Sequence, residues 1–191
     1  MPNHTFVESC HKILLSDNDL NEMKKYISNL KKSDFKHKEI IHRNPIHSSN
    51  TDVYRVCEIH FPNHSSPLNS IGKEIFLDIN KKYFEYDLDN IFEFQLIKYY
   101  KGGNYNWHCD YGISPVNGKV RKLSMSIQLS EPKEYEGGEL ELINYSNYPI
   151  MLEKNIGTTI VFDSKCPHKV WPVTWGERLA LVGWANGPKL R

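Results

Sequence analysis

Eight short β-rich runs between residues 91 and 185, two amphipathic helical patterns ahead of them, and a length of 191 residues predict a mainly β chain of the α+β kind. The expected architecture is a double-stranded β-helix, or jelly roll, with N-terminal helices packed on its outside. The length gives one domain a real core and leaves too little for two. A single domain over residues 1–191 is therefore expected, with a helical support region over 1–90 and a jelly-roll core over 91–186. Hydrophobic residues make up 39% and charged residues 25%, with a mean hydropathy of -0.56, which excludes a chain disordered by composition or built to span a membrane.

Ser16-Asp17-Asn18-Asp19 reads as a helix cap, and Leu20, Met23, Ile27 and Leu30 recur at three- and four-residue steps, so a helix is expected over 17–32. The polar stretch 36–50, with His37, His42 and His47, reads as a solvated loop, and the alternation over 53–60 reads as a strand. After a loop at 62–67, the spacing of Leu68, Ile71, Ile75 and Ile79 predicts a second helix over 69–84. Past Asp89 no helical period returns. The strand-like runs are 91–100, 104–110, 121–130, 139–143, 149–153, 158–163, 168–174 and 177–185, separated by turn residues. Gly137-Gly138 reads as a tight turn into the run at 139, and Trp107, Trp171 and Trp175 as packing residues.

Lys and Arg number 24 against 23 Asp and Glu, divided 12 to 13 over residues 1–90 and 12 to 10 over 91–191. No basic face follows from this balance, so nucleic acid is not an expected partner. The first residues lack a basic flank, and the longest early apolar run is Ile13-Leu14-Leu15, so neither a secretion signal nor a membrane anchor is expected. Cys10, Cys57, Cys109 and Cys166 are scattered without a C-x-x-C pair, which argues against a disulfide framework and for a cytoplasmic setting.

Seven of the nine histidines lie at or before His64, leaving His108 and His168 in the β-rich half. On an extended strand His108 and Asp110 share one face while Cys109 takes the other. His168 follows 58 residues after Asp110, at the start of a run that a jelly roll can bring beside the first. Taken alone, these residues fit either a hydrogen-bonded His/Asp pair or a facial two-histidine, one-carboxylate metal site of the kind suited to non-haem Fe(II). A structural zinc site using Cys109 and Cys166 is a weaker alternative, since no cysteine pair is present and Cys109 points away. Arg178, on one face with Ala180, Val182 and Trp184, favours the metal site, because an arginine directed into a barrel needs an anion to grip in two-pronged fashion. Ser124, Ser126 and Gln128 form a polar row opposite Leu123, Met125, Ile127 and Leu129.

The text Tyr99-Tyr100-Lys101-Gly102-Gly103-Asn104-Tyr105-Asn106-Trp107-His108-Cys109-Asp110, then Tyr135-Glu136-Gly137-Gly138-Glu139-Leu140, then Pro167-His168 through Trp175-Gly176-Glu177-Arg178, resembles the Fe(II)- and 2-oxoglutarate-dependent dioxygenases, within them the prolyl 4-hydroxylase-like PKHD-type hydroxylases. The resemblance covers roughly residues 90–186. It implies Fe(II) held by His108, Asp110 and His168, with 2-oxoglutarate and O2 as cosubstrates, ascorbate as an accessory, and Arg178 on the far carboxylate of 2-oxoglutarate. It further implies cosubstrate contacts from Tyr99, with Tyr100 as the one-residue alternative, and from Ser126 and Gln128. Related prolyl hydroxylases carry a tyrosine at the Gln128 position, so the partner of Arg178 is open at this point. Trp184 and Tyr111 fall on the substrate side. The implied activity is hydroxylation of a prolyl residue in a protein or peptide, with succinate and CO2 as coproducts. The loops 62–72 and 111–120 are placed to close over that substrate. An oxygenase acting on a small molecule or nucleobase, or a non-catalytic metal-binding jelly roll, would keep the same ligands.

Overall fold

In a computed structural model of the chain, residues 9–43, 51–112 and 118–189 are described, without the side chains of 41–43 and 51–53. Twelve strands are present among the described residues: β1 (Cys10–Leu14), β2 (Lys36–Arg43), β3 (Thr51–His60), β4 (Phe92–Tyr100), β5 (Asn104–His108), β6 (Lys119–Gln128), β7 (Tyr135–Gly137), β8 (Leu140–Ile143), β9 (Pro149–Met151), β10 (Thr158–Asp163), β11 (His168–Val170) and β12 (Val173–Pro188). Two helices, α1 (Asp17–Ser28) and α2 (Pro67–Ile79), precede the β-rich half.

The strands run in the order β1-β10-β6-β12-β4-β3-β5-β11-β8-β9, with β2 added to β3 and β7 to β12, every pairing antiparallel. This curled sheet is the expected jelly roll. Its larger part, centred on β12, has two faces with different tasks. Leu123, Met125 and Ile127 of β6 and Leu181 of β12 turn outward and bury against Met23 of α1 and Leu68, Ile71 and Phe76 of α2. The alternate residues turn inward toward β5, β11 and β8, where Ile97, Leu140, Leu142, Phe162 and Val170 form a second core. Period-two alternation thus commits one face to the helices and the other to the interior.

Each helix has a local reason to start. Ser16 accepts from the Asp19 backbone N–H at 3.1 Å, and Ser66 accepts from that of Asn69 at 3.3 Å with Pro67 in the first turn. The helices end earlier than expected. Residues 32–34 form a separate 3₁₀ turn, and Asn80–Phe84 form a π turn stopped by Glu85 in the left-handed region, φ +52°. At Gly183 a Cβ would lie 2.6 Å from the Phe94 ring, so the close approach of Phe94 to β12 requires glycine there.

Other differences have physical reasons. Residues 36–43, expected as loop, form β2 at the edge of the sheet, where a mostly polar strand with only Ile40 and Ile41 apolar is acceptable because an edge strand need not bury a face. His37 lies on this strand and bonds the Tyr100 hydroxyl at 2.9 Å, while the side chain of His42 and all of His47 lie outside the described residues. The short strands β1 and β7 carry no alternation long enough to be read. The runs expected at 168–174 and 177–185 divide instead as β11 and a single long β12, because Trp175 and Gly176 stay paired with β7 and the chain's irregularity is a bulge between Val173 and Trp175 within the strand. Trp107, Trp171 and Trp175 are exposed and do not pack in a core. The Lys169 ammonium lies over the Trp171 ring at 3.2 Å and the Trp107 ring at 4.8 Å, and the Trp171 indole N–H donates to Glu141 at 2.8 Å, so the first two cover sheet surface beneath a cation. No described helix is long and apolar enough to cross a membrane.

Candidate metal and cosubstrate site

β5 and β11 pair so that His108 and His168 stand directly opposite, with ring centroids 4.1 Å apart. β5 ends at His108, so Asp110 reaches the same side from a turn and not from the extended strand expected over 104–110. The Asp110 and Tyr111 N–H groups both donate to the Ser164 carbonyl at 2.9 Å, which fixes that turn. Asp110 Oδ1 lies 3.7 Å from His108 Nε2 and Oδ2 lies 3.4 Å from His168 Nε2. The ligand atoms of the three residues all lie within 4.8 Å of one another, and no cysteine sulfur belongs to this group. Cys109 is exposed on the other side, and burial pushes the Cys166 thiol up to about 12, the opposite of a metal-bound thiolate.

The donor set fits a divalent metal. His108 Nδ1 donates to the Asn106 carbonyl at 2.7 Å and His168 Nδ1 to the Cys166 carbonyl at 3.0 Å, since a carbonyl only accepts. Both Nε2 lone pairs are thereby left to converge with the carboxylate. Burial, with the neighbouring His168 adding to it, lowers His108 to about 3, so its imidazole is neutral at ordinary pH. Burial raises the Asp110 carboxyl, but the adjoining His168 and His108 outweigh it and hold it below the usual carboxylate range. Ser124 donates to Asp110 Oδ2 at 2.8 Å and meets Ser164 Oγ at 2.8 Å. Two histidines and one carboxylate gathered on one side, with open space on the other, suit Fe(II).

That space is a narrow cavity lined by the triad and by Tyr99, Tyr105, Ser126, Arg178, Val182 and Trp184, among others. Arg178 and Tyr99 sit opposite each other on β12 and β4. The Arg178 side chain is 2% exposed, its guanidinium lies 5.6 Å from the Tyr99 ring centroid, and no carboxylate of the described residues comes within 4.0 Å of it. Tyr99 is buried in the cavity wall, whereas Tyr100 faces out to His37.

Three sequence-derived candidates stand elsewhere. Ser124 serves Asp110 and is not a cavity residue. Gln128 borders an adjoining space with Tyr135, Gly138 and Arg178, its amide donating to the Tyr135 hydroxyl at 2.8 Å and the Ser130 carbonyl at 3.3 Å. Tyr111 does not line the cavity, because the turn at Asp110 carries its ring toward Lys165, 5.2 Å away.

Sequence reasoning missed Tyr105 and Arg121. Tyr105 stacks on His108 at 3.6 Å, and Arg121 lies 3.8 Å above the Trp184 ring, ion-paired to Glu93 at 3.0 Å and 4.0 Å from Asp110. Each is aimed inward by a bulge. Val170 pairs with Tyr105 while His168 pairs with His108, and Asn186 pairs with Arg121 while Ala185 pairs with Leu123. One extra residue on β5 and one on β6 reverse the alternation. Gly138, read as a turn former, also meets the site: its φ is +66°, and a Cβ there would lie 3.0 Å from Arg178 Cδ.

Comparison with known proteins gives a consistent picture. Residues 94–186 match the family model described as the 2OG-Fe(II) oxygenase superfamily. A PKHD-type hydroxylase of Gloeothece citriformis is 36% identical over 89 residues, covering 47% of this chain and 40% of the relative. A PKHD-type hydroxylase of Saccharophagus degradans is 40% identical over 95 residues, covering 47% and 41%. The chain thus spans about two fifths of the length of these curated relatives. Among solved structures, a Pseudomonas putida prolyl-4-hydroxylase superposes with a TM-score of 0.70 at 19% identity, covering 95% of this chain and 94% of that one. A prolyl hydroxylase from Trichoplax adhaerens, solved with a hypoxia inducible factor peptide fragment, gives 0.70 at 19% identity, covering 93% and 83%. At that identity the likeness establishes the fold.

Proposed function

We propose, from the match of residues 94–186 to the 2OG-Fe(II) oxygenase superfamily model, that this chain, acting as one domain over 1–191, is an Fe(II)- and 2-oxoglutarate-dependent dioxygenase that hydroxylates a prolyl residue in a protein or peptide. The observation that carries the reading is a cavity with a His/Asp/His group at one end and a buried, carboxylate-free arginine at the other. A dicarboxylate held between them answers both.

His108, Asp110 and His168 would hold the metal, and Arg178 would receive the distal carboxylate of 2-oxoglutarate, with Tyr99 and Ser126 along its length. Bound Fe(II) supplies O2 activation, one oxygen atom entering succinate as CO2 leaves and the other entering the substrate as hydroxyl. The chain's own work is placement and dryness. Ser124 orients Asp110, the backbone carbonyls fix both imidazoles, and Trp184 with Tyr105 walls the substrate side apolar. The prolyl substrate is supported by the fold shared with prolyl hydroxylases, one of them solved with a peptide. The near balance of charge gives no attraction to nucleic acid. A cytoplasmic location is supported by four cysteines scattered along the chain without a C-x-x-C pair.

Incubation with Fe(II), 2-oxoglutarate, ascorbate to keep the metal ferrous, and a cell extract tests this. The expected result is succinate formation with gain of one oxygen on a prolyl-containing peptide, both abolished in Asp110→Ala. No succinate above that variant would overturn the dioxygenase assignment. Oxygen gain on a small molecule alone would overturn the peptide substrate.

A further inference from the structure

We infer that the phenol of Tyr135, delivered from β7, hydrogen-bonds the distal carboxylate of 2-oxoglutarate beside Arg178. This rests on the dioxygenase reading above and names a binding residue within it. Tyr135 is 2% exposed, and its hydroxyl oxygen accepts from Gln128 Nε2 at 2.8 Å. The orientation of that amide is fixed, because the same nitrogen donates to the Ser130 carbonyl at 3.3 Å, and a carbonyl cannot donate in return. The Arg178 guanidinium, which carries donors and no acceptor, is the other polar neighbour, bordering the same small space. Both neighbours being donors, neither takes the hydroxyl proton, and among the described residues no acceptor for it stands within hydrogen-bond reach. A buried O–H donor without an acceptor carries a desolvation penalty that a carboxylate oxygen would remove.

The location fits that acceptor. Tyr135 and Gln128 border a small space that shares Leu140 and Arg178 with the main cavity, so the phenol stands at the cavity's arginine end. Nearby negative charge is already taken: Glu139 is paired to Lys154 at 2.9 Å, and that ammonium lies 4.6 Å from the Tyr135 ring. With Lys154 and Glu139 neutralising each other, the unpaired charge of Arg178 leaves this end of the cavity positive, and the Tyr135 hydroxyl adds a neutral donor. Gln128 holds the phenol in place and supplies no hydroxyl of its own.

The test is equilibrium titration of anaerobic Fe(II)-loaded protein by calorimetry. Two acids are compared, 2-oxoglutarate and 2-oxobutyrate, which lacks the distal carboxylate. Tyr135→Phe removes one oxygen and keeps the ring, so Fe(II) content and melting serve as folding controls. A charge-assisted bond lost from a dry site weakens 2-oxoglutarate roughly ten- to hundredfold, and the affinity for 2-oxobutyrate is expected to stay unchanged. Unchanged 2-oxoglutarate affinity, or equal weakening of both acids, would overturn the role of Tyr135 and leave the dioxygenase reading intact. Wild-type protein that binds no 2-oxoglutarate would overturn that reading and this inference with it.

Discussion

Replacing Ser124 by alanine isolates how the Asp110 carboxylate is held. Ser124 is 1% exposed, and its single proton goes to Asp110 Oδ2 at 2.8 Å. The contact to Ser164 Oγ, also 2.8 Å, must then run from Ser164 to Ser124, giving a donor chain that ends on the carboxylate. Alanine removes a charge-assisted bond of about 1.5–3 kcal/mol and strands the buried Ser164 hydroxyl. Asp110 keeps other partners, since the Ser164 carbonyl holds its backbone N–H at 2.9 Å and the His168 and His108 rings stand 3.4 and 3.7 Å from its oxygens. The expected effect is therefore at the lower end of the range for groups that orient a metal ligand, a loss of about tenfold in metal affinity. Calorimetric titration of the metal-free variant with Mn(II), an air-stable stand-in for Fe(II), measures it. Ser126→Ala, on the same strand and face without a bond to Asp110, is the control and should bind metal normally. Wild-type affinity in Ser124→Ala, or an equal loss in Ser126→Ala, would refute the donor chain as the support of Asp110.

Arg178→Lys keeps the charge but loses the planar fork, so apparent 2-oxoglutarate affinity should fall roughly ten- to hundredfold with Fe(II) binding intact, and Arg178→Ala should fall further; titration at saturating Fe(II) with no change in either variant would remove Arg178 from the site. Gly138→Ala forces a side chain into φ +66° and places its Cβ 2.9 Å from Val173 Cγ2 and 3.0 Å from Arg178 Cδ. It should destabilise by about 1–2 kcal/mol in thermal melts and weaken 2-oxoglutarate binding; normal binding would show that Arg178 does not depend on this contact. The metal-free protein should lose stability in acid. His108 is lowered to about 3 when folded, so below its ordinary value near 6.5 the unfolded chain takes up a proton that the folded chain refuses. Stability is full above about pH 6.5 and falls toward pH 3, with Asp110, lowered on folding, adding its loss through the carboxylate range. Denaturant melts from pH 7 to 4 check this, and a His108→Gln variant with the same pH slope as wild type would contradict it.

Local pattern in the sequence was enough to read the class of fold and the candidate metal ligands. Alternation over β4, β6 and β12 separates a helix-facing row, such as Leu123, Met125 and Ile127, from an inward row, and that pattern needs only local geometry. His108, Asp110, His168 and Arg178 were legible for the same reason, as residue types that a buried β interior does not hold without a partner. The tertiary structure alone decided what completes the site. Tyr105 and Arg121 turn inward because bulges on β5 and β6 break the alternation, and a bulge is set by pairing with a distant strand. β2 is strand because β3 offers it an edge, although no apolar pattern marks it. Tyr135 reaches Arg178 and Gln128 only because β7 joins β12 from outside the main path of the sheet, bringing together groups separated by 43 and 7 residues along the chain. Ser124, indistinguishable from Ser126 by face or period, belongs to Asp110 because Ser164 fixes the turn that presents the carboxylate. Face and period are local properties, and the partner a face meets is a property of the closed sheet.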